Sequence, residues 1–196
     1  MSKVLYLFAT VALLGAADTI YYHEWRARLP AMGSAARSEL QLHAFRDFVY
    51  AMLFATLPWI AWHGRWTAAL VGLLLIEIVL TLWDFVVEDW IRKPLGGVYP
   101  GERIMHAIMG IVFGAMLANI VPVLRGWWLA PTGLLMVPAA VHPILRWIML
   151  IMAIGVFASG MRDLCAAYEV PGSAWPWRRN DSAASPRADV RRASAE

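Results

Sequence analysis

Two stretches of the chain repeat one pattern, Glu39-Leu40-Gln41-Leu42-His43 and Glu102-Arg103-Ile104-Met105-His106. Each sets a carboxylate four residues before an imidazole, and each leads into an apolar run. On an α-helix such a pair shares one face, about 6 Å apart along the axis. Two more glutamates, Glu24 and Glu88, close the apolar runs that come before. Carboxylate oxygen and neutral imidazole nitrogen suit iron or manganese, and four carboxylates offset two divalent cations. Glu24, Glu39, His43, Glu88, Glu102 and His106 are therefore the expected metal ligands. Asp18 and Asp84 are expected to handle protons, and with Asp47 they are candidates to orient metal-bound histidines. His23 and Asp89 adjoin the two closing glutamates and are substitutes for them.

The elements that must position these residues belong to an all-α integral membrane protein. The chain has 196 residues, 60% hydrophobic and 16% charged, against about 25% charged in soluble domains. Five segments, 4–22, 43–62, 67–87, 106–124 and 144–165, approach the roughly 20 apolar residues that a helix needs to cross a bilayer. Trp25, Trp62, Trp66, Trp90, Trp127, Trp128 and Trp147 fall near their ends, as an interfacial belt would. A cleaved signal sequence is the alternative reading of the first segment. The single cysteine, Cys165, excludes an intrachain disulfide and a cysteine-based zinc site within the chain.

Arginine and lysine gather on the side that holds Glu24 and Glu88, which makes that side cytoplasmic. The expectation is a multi-pass protein of the bacterial inner membrane, N-terminus outside and C-terminus inside. Residues 1–170 form the membrane domain. Residues 171–196 form a basic tail rich in Ser, Ala, Pro and Arg, expected to be disordered and to rest on anionic lipid rather than on nucleic acid.

A spacing of 64 sets Glu24, Arg28 and Pro30 against Glu88, Arg92 and Pro94. A spacing of 63 sets Glu39 and His43 against Glu102 and His106. The chain therefore reads as a helical hairpin used twice, about 4–62 and 67–124, giving a four-helix core with a peripheral fifth helix. The ligand pattern resembles that of di-iron and di-manganese carboxylate bundles, in which two helices each give a Glu and two others each give a Glu–His pair. Those bundles use Glu-x-x-His, whereas this chain has Glu-x-x-x-His. The resemblance implies two iron or manganese ions held by the six residues above. The chain as a whole resembles an uncharacterised family of bacterial multi-pass membrane proteins, which supplies no activity to carry over.

Glu77, Thr81, Asp84 and Glu88 follow at helical steps and draw one polar stripe from mid-membrane to the cytoplasmic mouth. Intramembrane carboxylates mark a function or a buried partner. Three functions follow. One is a membrane oxidoreductase with a dimetal centre and a lipid-soluble substrate such as a quinone, fatty chain or isoprenoid. Another is a haem b electron carrier ligated by His43 and His106. The third is a non-catalytic subunit or transporter component, as a homo-oligomer or within a membrane complex, whose acids carry protons or cations. Against any metal stands a plainer reading, in which the acids pair with Arg26, Arg28, Arg46, Arg92 and Arg103. No phosphate-binding loop or nucleophile motif is present.

Overall fold

The computed structural model describes residues 1–136 and 141–177. Helix α1 spans Ser2–Asp18 and continues as a wider π-helical segment, Thr19–Ala27. A short helix α2, Leu29–Met32, and a tight turn, Gly33–Ala36, lead into α3, Arg37–Thr56. Strand β1, Ile60–His63, precedes α4, Arg65–Arg92. Helix α5 spans Pro100–Trp128, β2 is Gly133–Met136, and α6 spans Pro143–Ala167. Pro100 and Pro143 open their helices, where a missing N–H is no loss.

The five long helices alternate in direction. The ends of α1, α4 and α6 and the starts of α3 and α5 meet at one end of the bundle, where Asp18, Asp84, Asp163, His43 and His106 come together. The two strands close the other end, pairing antiparallel from Ile60 with Met136 to His63 with Gly133. Gly64 turns the chain out of β1 at φ +55°, and a Cβ there would lie 2.6 Å from the Thr132 Cα. Only glycine fits that turn. Leu5, Phe8, Leu53, Leu57, Leu70 and Met116 fill the core between the two ends.

The bundle is inside out by the standard of a soluble protein. Glu39, Glu77, Arg92 and Glu102 are at most 1% exposed, while Val79, Ile111, Ile151 and Ile154 stand more than 60% exposed on the outer faces. Soluble proteins almost never bury such charges while exposing so much aliphatic surface. Four helical stretches, Ser2–Ala27, Arg65–Arg92, Pro100–Trp128 and Pro143–Ala167, are long and apolar enough to cross a membrane.

Three expectations need correction. The second segment is not an apolar span over 43–62. Its helix α3 starts at Arg37 and ends at Thr56, because Pro58 has no N–H to continue the ladder, and residues 60–63 become a strand. With Arg37, Glu39, Arg46 and Asp47 in its first half, α3 falls outside the four apolar stretches. The fifth long helix, α6, is not peripheral: α3 packs along it over more of its length than along any other element. A Cβ on Gly160 would meet the Asp47 Cβ at 2.9 Å, so this glycine permits the close approach. Nor do the expected hairpins pack as units, since the backbone of α1 runs along α5 rather than α3.

The start of the expected tail is also ordered. Residues 171–177 fold back as turns. The Trp175 carbonyl accepts from Arg162 at 2.8 Å, and Trp177 packs edge-on against Trp25. The rest of that tail, 178–196, lies outside the described residues.

Candidate metal centre

The end of α1 decides which of its side chains face inward. In an α-helix Tyr22 would stand one turn beyond Asp18. Over Thr19–Ala27 the chain is π-helical instead, and hydrogen bonding to the fifth residue rather than the fourth inserts one residue per turn. His23 then takes the place over Asp18, with Nε2 3.4 Å from Asp18 Oδ2. Glu24 is carried past the interior and pairs with Arg162. It is not part of the cluster, which corrects its expected role as a ligand.

His106, in the second turn of α5, reaches the same place. Its Nε2 meets Asp18 Oδ2 at 3.0 Å and its Nδ1 lies 3.7 Å from Glu88 Oε2. Phe85 stacks on the imidazole at 5.1 Å between centroids. Glu102, one turn back on α5, lies 3.2 Å from His23 Nε2. That nitrogen is buried between Asp18 and Glu102 yet makes a hydrogen bond with neither.

His43 sits beside this group. Its ring stacks on His23 at 4.5 Å and 15°. Nε2 lies 3.3 Å from Asp84 Oδ2, and Nδ1 lies 3.7 Å from Asp163 Oδ2. Asp84 is held in turn by Arg46 at 2.6 Å. The ion pairs of the plainer reading are thus partly realised. Arg92, 1% exposed, gives Nε and Nη2 to Glu39 Oε1 at 2.9 and 2.8 Å, and Nη2 also lies 3.3 Å from Glu102. Asp89 faces outward and pairs with Arg103.

Two guanidiniums do not use up the acceptors. Asp18 Oδ1, Glu39 Oε2, Asp84 Oδ1, Glu88 Oε1 and Glu102 Oε2 are buried without a hydrogen-bond partner among the described residues. Native proteins leave few such atoms, and each calls for a cause such as a bound ion. Two triads have donor atoms within 4.8 Å of one another, Asp18–His23–His106 and Glu88–Glu102–His106. The first has the two-histidine, one-carboxylate composition that suits divalent iron with open positions. The triads share His106, whose Nε2 faces one and whose Nδ1 faces the other. A neutral imidazole has one lone pair for a metal, so it completes only one of them.

A cavity of about 610 Å³ opens onto this cluster. Asp18 and His106 line one part of it, and Tyr50, Phe54, Glu77 and Phe113 line another. Ile20, Leu82 and Ile151 also line it and are exposed on the outer face of the bundle, so it opens sideways.

Of the six expected ligands, Glu88, Glu102 and His106 belong to the triads. Glu39 is engaged by Arg92, His43 stands behind His23, and Glu24 points away. Asp18, read as a proton group, lies among the donor atoms instead. Asp84 holds His43 and Arg46. Asp163 was missed altogether. Its one signal is an acid at the end of an otherwise apolar helix. No family model matches the chain, and no curated protein or solved structure matches it.

Proposed function

We propose that the protein is a membrane-embedded oxidoreductase that holds iron or manganese at Asp18, His23 and His106 and acts on a lipid-soluble substrate. The observation that carries this reading is the sideways-opening cavity that meets Asp18 and His106 beside buried carboxylate oxygens with no partner. Glu88 and Glu102 are the groups available to a second ion. Around the cluster, the carboxylates of Asp18, Glu39, Asp84, Glu88, Glu102 and Asp163 outnumber the guanidiniums of Arg46 and Arg92, an excess of negative charge that bound cations would offset. A metal so held, with positions left open, supplies electron transfer or oxygen activation.

The chain's own groups do the rest. His43 and Asp84 fix the orientation of His23 and of the wall around it. The apolar cavity takes substrate from the bilayer, into which the exposed faces of α4, α5 and α6 would fit. Arginines at the cluster end favour a cytoplasmic placement of that end in a bacterial inner membrane.

The haem reading is less favoured, because both ring nitrogens of His43 lie beside carboxylates, Asp84 and Asp163. A purely structural charge cluster is the second reading, favoured by the fit of Arg92 between Glu39 and Glu102. Metal analysis of protein purified in detergent without added metal decides between them. At least one iron or manganese per chain and no Soret band is expected. Metal-free, stable protein overturns the enzyme.

A further inference from the structure

The cavity contains a second polar group, remote from Asp18 and His106. Glu77 lines it and is 1% exposed. It stands seven residues before Asp84 on α4, about 10 Å along the axis. Its Oε1 accepts from the Tyr50 hydroxyl at 2.5 Å and from the Thr81 hydroxyl at 2.8 Å. Its Oε2 is buried and has no hydrogen-bond partner among the described residues. Two donors are fixed to one oxygen, and the other is left for something the chain does not supply. A buried carboxylate oxygen without a donor is unfavourable.

The surroundings narrow the donor. Tyr50 stacks on Phe54 at 5.4 Å and meets Phe113 edge-on at 6.3 Å, and all three rings line the cavity. Another ring fits among them by the same offset and edge-on geometry. An ammonium or a carboxylate ion would have to shed its water to reach this depth, whereas a hydroxyl sheds little. The Glu77 carboxylate repels an anion, and Arg46, which also lines the cavity, is taken by Asp84.

We propose that Glu77 is the head-group subsite of the cavity, where Oε2 accepts from the hydroxyl of a phenolic lipid whose ring packs against Phe54 and Phe113. Tyr50 and Thr81 hold the carboxylate in place, and the lipid tail leaves by the sideways opening. The subsite rests on reading the cavity as a substrate chamber. It does not depend on the metal.

The test is equilibrium binding to the full chain in lipid nanodiscs, with metal content measured on the same samples. The probes are 4-decylphenol, its methyl ether 4-decylanisole, and decan-1-ol. The phenol is expected to bind about tenfold more tightly than the ether, the scale of one hydrogen bond, and more tightly than decan-1-ol, which keeps the hydroxyl but has no ring to pack. Glu77→Leu is expected to abolish that preference and Glu77→Gln to shrink it. If Glu77→Leu does not fold, Glu77→Gln carries the comparison. Equal binding of phenol and ether by the unaltered protein overturns the subsite, as does a preference that survives in Glu77→Leu. Decan-1-ol bound as tightly as the phenol overturns the phenolic class. A metal-free sample that keeps the preference supports the subsite even where the metal reading fails.

Discussion

Asp18 and His106 stand 88 residues apart and meet at 3.0 Å in the buried end of the bundle. One is the last residue of α1, the other lies in the second turn of α5. Their contact joins the two triads, because His106 belongs to both. His106→Ala is therefore expected to remove most of the bound metal, while Glu24→Ala leaves it unchanged, since Glu24 pairs with Arg162 away from the cluster. Metal analysis of the two variants beside the unaltered protein checks this. Equal metal in His106→Ala would dismiss the residue as a ligand.

His43 should behave differently from His106. It touches His23 face to face and stands between Asp84 and Asp163, outside both triads. Groups that orient a ligand typically contribute about 10–100-fold to metal affinity. His43→Ala is expected to weaken binding within that range, so that metal is lost to a chelator that the unaltered protein resists but is regained at high metal concentration. A loss as complete as that of His106→Ala would move His43 among the ligands.

These outcomes also show how far the residues could be read in advance. The pairing of glutamate and histidine at four-residue spacing brought Glu102 and His106 to one helix face, as α-helical periodicity requires. The match of Glu24 to Glu88 at a spacing of 64 misplaced Glu24, because nothing in Thr19–Ala27 announces a π-helix, whose wider turn hands the inward position to His23. Polar residues in apolar helices marked Glu77, Asp84 and Glu88, and all three are buried. Arg92 was legible as one of five arginines set to pair with the acids, not as the one that does so buried. Its burial between Glu39 and Glu102 depends on three helices meeting, which pairwise spacing along one chain does not encode. The packing of α3 on α6 was hidden for the same reason. Gly160 marks it only once the neighbour is known.

Arg92 supplies the sharpest stability prediction. It is 1% exposed and shared by two fully buried carboxylates. Removing one partner of a buried ion pair costs about 3–5 kcal/mol, because the other charge stays behind unpaired. Arg92→Met is expected to lower stability by that order in detergent unfolding. Arg92→Met with Glu39→Gln should recover part of it, because one of the stranded charges is gone. Single and double variants of equal stability would mean that Glu39 carries no charge in the folded protein.

The contact of α3 with α6 is similarly exposed to test at Gly160. A Cβ there meets the Asp47 Cβ at 2.9 Å and the Ala44 carbonyl at 3.1 Å. One partner is a Cβ and the other a backbone carbonyl of α3, so neither can swing aside, and overpacking of about 1–3 kcal/mol is expected. Gly160→Ala should lower the unfolding midpoint, and it should loosen the metal as well, because Asp163, on the next turn of α6, faces His43. An unchanged midpoint would mean that the two helices separate more easily than their packing indicates.

The cavity itself can be tested without touching a polar group. Gly110 and Gly114 lie on the face of α5 that lines it, and a Cβ on either meets nothing within 4 Å. A larger side chain at Gly114 therefore fills the chamber rather than clashing with a helix. Helix α5 also tolerates it, since glycine is the weaker helix former. Gly114→Leu is expected to fold and to keep its metal, because the triads draw on none of these residues. It should nonetheless bind a decyl-chain ligand at least tenfold more weakly, the effect of losing roughly 1.4 kcal/mol of binding free energy. Metal content and ligand affinity would thus separate in one variant. Unchanged affinity would show that the lipid ligand binds elsewhere on the bundle, and the sideways opening beside Ile20 and Leu82 would lose its role as the entrance.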